Sequence, residues 1–143
     1  MNVNNKMKLT FLSLSANESF ARSTISCFDL QLNPSVSQIS DIKTAVSEAV
    51  TNAIVHGYPG KIGDITMEAW IDGGVLHINV FDNGVGIENL NQALEPFYTT
   101  REDEERSGMG FTIMRSFMDD MRVESKVGEG TKIYMSKTIK SDV

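Results

Sequence analysis

Between Ile62 and Asp82 the chain carries two apolar-rich runs, Ile62–Ile71 and Val75–Asp82, separated only by Asp72-Gly73-Gly74. So short a link joins neighbouring strands as a tight hairpin and leaves no room for the crossover that parallel strands need. The sheet therefore contains antiparallel pairs. A second pair reads the same way, Arg122–Lys126 and Thr131–Thr138 around Gly128-Glu129-Gly130. Met7–Leu14 alternates Met7, Leu9 and Phe11 with polar or small residues, the period of another strand.

The remaining periodic segments are helical. Ser15 with Glu18 three residues on reads as a capped start, and that helix runs to about Gln31, before Asn33-Pro34. A second helix begins near Ser35 and places Val36, Ile39, Ile42, Val46, Ala49, Val50 and Ala53 on one face, ending at Gly57. Residues 83–108 read as loop, with a helical turn near Glu88–Leu94. Met109–Met121 forms a third helix, striped by Ile113, Met114, Phe117, Met118 and Met121. The order predicts an α+β two-layer sandwich, a mostly antiparallel sheet covered on one face by helices.

A chain of 143 residues, 41% hydrophobic and 22% charged, is one ordinary globular domain, 1–143. Its single cysteine, Cys27, excludes an internal disulfide and a multi-cysteine zinc site. In the first helix, without a histidine partner, it reads as an inert packed thiol. Thirteen Lys+Arg against nineteen Asp+Glu leave a net charge of -6, which argues against nucleic acid or an anionic membrane as partner. A basic protein partner is compatible. No stretch approaches the roughly 20 apolar residues of a spanning helix, and Met1–Lys6 does not open a signal peptide. The expectation is a soluble cytoplasmic protein.

Four segments could carry chemistry. Glu48 and Asn52 are four residues apart on the second helix, about 40° apart around its axis, at the edge of the apolar stripe. Their hard oxygens could order Mg²⁺ and its waters, or they could be a solvated pair. Asp82-Asn83-Gly84-Val85-Gly86 leaves a strand: Asp82 could accept from an amino group such as adenine's, while Gly84 and Gly86 allow close backbone approach. The plain alternative is an ordinary Asx turn. Arg106-Ser107-Gly108-Met109-Gly110 opens the third helix, where free N–H groups and the helix dipole favour a phosphate, with Arg106 adding a charged contact. Capping by Ser107 is the alternative. Gly130-Thr131 opens the last strand and by itself says nothing. The acidic run Glu102–Glu105 reads as a lid or as solvated charge. His56 and His77 lack metal-like spacing and are expected to be structural, and the methionine stripe is expected to be core.

Together, in this order, these motifs resemble the Bergerat ATP-binding fold shared by gyrase and histidine-kinase catalytic domains. The string Ser47–Tyr58, with Glu105–Met114, resembles its anti-sigma factor branch in endospore-forming bacteria, with stress-response anti-sigma kinases next. The resemblance implies ATP and Mg²⁺, with Asn52 on the metal and Asp82 on the adenine amino group. It implies Gly84 and Gly86 against base and ribose, Gly108, Met109 and Gly110 on the phosphates, and Thr131 supporting adenine recognition. Arg106, beside Ser107, would lie in the lid near the γ-phosphate, and Glu48 would be the general base. It further implies a kinase that binds an RNA polymerase sigma factor and phosphorylates a serine of the anti-anti-sigma factor, with Glu18 and Arg22 on the partner surface. A homodimer, pairing the N-terminal strand at a sheet edge, is also implied. Phe111 and Thr112 stand where histidine kinases usually carry a further glycine and a leucine. A detached histidine-kinase catalytic domain is the alternative, for which Pro96–Arg101 resembles the lid entrance. A non-catalytic ATP-sensing module is another, and it would have no need of a base at Glu48.

Overall fold

The computed structural model describes residues 4–95 and 109–139. In chain order these form β1 (Asn5–Leu12), α1 (Ala16–Phe28), α2 (Val36–Asn52), β2 (Asp64–Asp72), β3 (Val75–Asp82), a single-turn α3 (Leu90–Ala93), α4 (Gly110–Phe117), β4 (Asp120–Lys126) and β5 (Gly130–Thr138). A 3-10 segment, Asp29–Leu32, prolongs α1, and a π-helical turn, Ala53–Gly57, prolongs α2. The five strands lie in the order β1-β2-β3-β5-β4, every neighbouring pair antiparallel. Asp72 faces Val75 across Gly73 and Gly74, whose φ of 59° and 82° are those of the tight hairpin expected from the sequence.

Pairing register explains where the core lies. Leu9, Met67, Val80, Ile133 and Val123 stand abreast across the sheet, and Met7, Ala69, Ile78, Met135 and Met121 form the next rung. Against this face pack Ala21 and Ile25 of α1, Ile42, Val46, Ala49 and Val50 of α2, and Phe111 and Met114 of α4. Each large side chain so buried contributes about 1.5–3 kcal/mol. One rung beyond Leu9 and Met67, the row is Phe11, Ile65, Asp82, Thr131 and Ser125. The helix-facing side thus turns polar at one end, under the last turn of α2, and that change places the candidate site.

The other face carries no helix among the described residues. There Trp70 stacks on His77 with ring centroids 5.0 Å apart, and His77 Nδ1 is 2.7 Å from the Tyr134 hydroxyl. Arg122 lies 5.5 Å from the centre of the Tyr134 ring. His77 is a structural residue, as its lack of metal-like spacing suggested.

Several expectations are corrected. Ser15 does not cap α1: its backbone is helical, its side chain makes no capping bond, and Glu18 turns to other partners. The capping box belongs to α2, where Ser35 Oγ accepts the Gln38 N–H at 3.1 Å and Gln38 Oε1 accepts the Ser35 N–H at 2.9 Å. Val36, expected on the apolar face, is 84% exposed, because the helix has not yet reached the sheet at its first residue. Ile62 lies outside β2 and is exposed. Cys27 is exposed rather than packed, since it points about 200° around the helix from buried Ile25. The third helix stops at Phe117 instead of Met121. Met118 turns extended, the Asp119 N–H donates to the Ser136 carbonyl at 2.9 Å, and Met121 pairs with Met135 inside β4. Lys137 Nζ then donates to the Phe117 carbonyl at 2.6 Å, satisfying a helix-end acceptor. The methionines remain core: Met114 and Met118 are buried.

Candidate functional site

The polar rung is built around Asp82, 5% exposed at the end of β3. Its Oδ1 accepts the Gly84 N–H at 2.9 Å, closing the Asx turn, and the Thr131 backbone N–H also donates to the carboxylate. Burial pushes this carboxyl above the usual carboxylate range, and the two donors pull it back by stabilising the anion. A carboxylate offers about four acceptor directions, so two backbone donors leave capacity for a ligand amino group.

The glycines around Asp82 are required by the protein's own chain. A Cβ at Gly84 would lie 1.9 Å from the Gly57 carbonyl oxygen, and one at Gly86 would lie 2.2 Å from that of Lys126. At Gly57 a Cβ would meet the Asp82 carboxylate at 2.9 Å. These contacts draw the end of α2, the turn after β3 and the β4–β5 turn into one knot around the carboxylate. Thr131 enters it through its backbone, while its side-chain oxygen lies 2.8 Å from Ser125 Oγ. Ser125 also accepts the Ile87 N–H at 2.7 Å, pinning the loop after Gly86 to β4. Sequence reasoning passed over Ser125, although its spacing of two from the apolar Val123 puts both on one face of the strand.

The other half of the site is helical. Glu48 is 8% exposed, although it is a carboxylate on a packed helix. Its Oε2 lies 3.4 Å from where a Cβ on Gly110 would sit, an ordinary contact distance, so the carboxylate lies directly beside the head of α4. Met109 precedes this helix as its cap residue, and the first-turn N–H groups that follow have no intrahelical acceptors. Asn52, half-buried, comes one turn after Glu48 and closes α2 as its last residue. The fold thus brings Glu48, Met109 and Gly110 to one place and seats Asn52 between them and the Asp82 knot along the chain. Arg106, Ser107 and Gly108 lie outside the described residues, as do the lid run Glu102–Glu105 and Pro96–Arg101.

Glu18 and Arg22 belong to α1, away from the Asp82 knot. Glu18 Oε2 lies 3.6 Å from Arg22 Nη2, and its Oε1 accepts the Ser47 hydroxyl. Ser47 immediately precedes Glu48, so the surface carrying Glu18 and Arg22 is bonded to the helix that carries the buried carboxylate. An open groove of about 380 Å³ also touches Asp82 and Thr131, but its walls include Glu68, Phe81, Glu124 and Lys132. Those side chains point to the sheet face away from the helices, so the groove does not reach Glu48. Among the described residues no three His, Cys, Asp or Glu gather as a metal cluster. No helix among them is long and apolar enough to cross a membrane.

The family described as Histidine kinase-like ATPase domain matches residues 13–137. A protein of Thermoanaerobacter pseudethanolicus named Anti-sigma F factor is 55% identical, over 99% of this chain and 99% of its own. One of the same name from Clostridium acetobutylicum is 58% identical over 93% of each. The fold is also that of two solved structures. The RsbU and RsbW domains of a Mycobacterium tuberculosis protein match with TM-score 0.68 at 19% identity, over 94% of this chain and 32% of that one. Full-length ShkA in complex with AMPPNP matches with TM-score 0.58 at 16% identity, over 90% and 30%. The chain spans about a third of each of those two. The α+β sandwich expected from the sequence is therefore the histidine kinase-like ATPase architecture.

Proposed function

Because the chain belongs to the histidine kinase-like ATPases and, within them, to the anti-sigma F factors, we propose that it is an ATP-dependent protein serine kinase and anti-sigma factor. It holds a sporulation sigma factor away from RNA polymerase and phosphorylates a serine of the anti-anti-sigma antagonist that would release it. The observation that carries this reading is the position of a buried Glu48 beside Gly110 at the head of α4.

Each end of the site has a role in that reaction. Asp82 accepts a hydrogen bond from the adenine amino group, with Thr131 holding the carboxylate from behind and Gly84 and Gly86 letting the turn close. Met109 and Gly110, with Gly108, Ser107 and Arg106, hold the phosphates, for which a helix N-terminus is suited. Asn52 would hold Mg²⁺ through its carboxamide oxygen, a hard donor of the kind this ion prefers. Bound there, Mg²⁺ supplies neutralisation of phosphate charge during transfer. Glu48 takes the proton of the incoming serine hydroxyl, whose oxygen then bonds the γ-phosphorus as ADP leaves. Glu18 and Arg22 form the docking surface for both protein partners, linked to the base through Ser47. The exposed edge strand β1 pairs with a second copy in a homodimer. The protein acts in the cytoplasm, where polymerase is.

The test is transfer from Mg-ATP labelled at the γ-phosphate to an anti-anti-sigma protein. Wild type is expected to produce acid-stable phosphoserine, and Glu48→Gln to lose about 10²–10⁴-fold of the rate while still binding ATP. ATP binding with no transfer by wild type would replace the kinase with a sensing module. Acid-labile label on histidine would move the chain to the histidine-kinase branch.

A further inference from the structure

Tyr58 has no part in the chemistry above, yet its hydroxyl makes two bonds to two distant elements. It accepts the backbone N–H of Asn83 at 2.8 Å and donates to the backbone carbonyl of Asp64 at 2.7 Å. Its ring covers Gly63, where a Cβ would fall 2.3 Å from a ring carbon. Burial raises the phenol above its ordinary value, against the pull of the Asn83 bond, so it stays a protonated donor. One residue earlier the Gly57 carbonyl accepts the Val85 N–H at 2.9 Å. Consecutive residues at the end of α2 therefore grip Asn83 and Val85, on either side of Gly84, whose own N–H is bonded to Asp82.

We infer that Tyr58 is a positioning residue for base selection: its hydroxyl fixes the Asn83 peptide, and with it the direction in which Asp82 meets a purine, favouring a 6-amino over a 6-oxo nucleotide. This rests on Asp82 binding the adenine amino group. A carboxylate fixed in place accepts from a 6-amino group but sets lone pair against lone pair with a 6-oxo group. Discrimination of this kind depends on the wrong ligand leaving buried polar groups unpaired. If the turn can rotate, the Gly84 N–H or a water can serve a 6-oxo group, and the penalty falls. The bond from Asn83 is the clamp next in sequence to the carboxylate, and Asp64 anchors its other side at the start of β2. Gly63 belongs to the same device, because any side chain there would push the ring off its seat.

The experiment measures KM and kcat for ATP and for GTP in the transfer reaction, with nucleotide affinity by fluorescence titration and Tm alongside. The proteins are wild type, Tyr58→Phe, Gly63→Ala and Asp82→Asn. Loss of one neutral hydrogen bond is expected to raise the ATP KM of Tyr58→Phe by about 3- to 10-fold, leave kcat at saturating ATP near wild type, and narrow the ATP/GTP ratio by a similar factor. Gly63→Ala is expected to shift the ratio in the same direction with the hydroxyl still present. Should Tyr58→Phe fail to fold, Gly63→Ala decides the matter. An ATP/GTP ratio held at the wild-type value in a folded variant of either kind, whatever the Tm, would overturn the inference. If Asp82→Asn leaves ATP affinity and the ratio untouched, it is the adenine role of Asp82 that fails. If Asp82→Asn abolishes the preference while Tyr58→Phe and Gly63→Ala keep it, only the role of Tyr58 fails.

Discussion

Two aspartates of this protein are buried at the ends of elements, and their surroundings differ in one respect. Asp82 closes β3 and accepts N–H groups from Gly84 and Thr131. Asp29, just after α1 and 0% exposed, finds no hydrogen-bond partner among the described residues for either carboxylate oxygen. Burial pushes Asp29 up to about 7, whereas at Asp82 the same desolvation is opposed by two donors. Burial alone makes a carboxyl give up its charge. Burial with donors makes a carboxylate that can receive a ligand.

That contrast is sharpest in the pH dependence of stability. Folded Asp29 binds its proton up to about pH 7, while unfolded it releases it near 3.8, the ordinary value of an aspartate. Between those values the native state holds more protons, so stability falls as pH rises through the window and is lowest above it. The shift corresponds to up to about 4 kcal/mol. Denaturant unfolding of wild type and Asp29→Asn at pH 5 and pH 8 checks this. The variant is expected to lose much less stability than wild type between the two, and equal losses would remove Asp29 from the account.

The next largest effect attacks the donor side of the comparison. Gly84→Ala forces a Cβ against the Gly57 carbonyl and shifts the N–H that Asp82 accepts. A cost of about 3 kcal/mol in unfolding free energy is expected, with weaker ATP binding in whatever remains folded. Asp82→Asn leaves the backbone alone and replaces a charged acceptor by a neutral one. Its ATP affinity is expected to fall by roughly 10- to 100-fold, measured by titration calorimetry, while Asp29→Asn should bind ATP as wild type does. Loss of ATP affinity in Asp29→Asn would break the contrast between the two sites.

The smallest prediction carries the same lesson to the helix starts. Ser35 has a backbone donor within reach and Ser15 makes no capping bond. Ser35→Ala is expected to cost about 1 kcal/mol of stability and Ser15→Ala close to nothing. Chemical denaturation of both separates them.

Much of the fold was readable because its signals are local. The span of β3 was read residue for residue, and the Gly73-Gly74 turn was recognisable, since register and turn chemistry lie within a few residues of each other. The misreadings have non-local causes. The methionine stripe continues in helical period past Phe117, but β5 offers a free edge to Asp120–Lys126, and pairing there wins over four more helical residues. Ser15-Ala16-Asn17-Glu18 carries the capping signature, yet Ser47 of α2 and Arg22 take the Glu18 carboxylate. Ser125 and Tyr58 went unread as site residues because their importance lies in bonds to Ile87, Asn83 and Asp64, far along the chain.

The sequence by itself determined the alternation of strands and helices and, by resemblance, the family. Periodicity and turn chemistry are enough for the elements, because each is written in neighbouring residues, whereas the family came from the resemblance of the ordered motifs to known proteins. Only the tertiary structure decided that Asp82 keeps two donors and Asp29 none, that Gly84 and Gly86 are small for the sake of their own chain, and that Glu48 lies against the head of α4. Desolvation, close approach and hydrogen-bond supply depend on which distant segments fold against one another, and no short stretch of residues contains them.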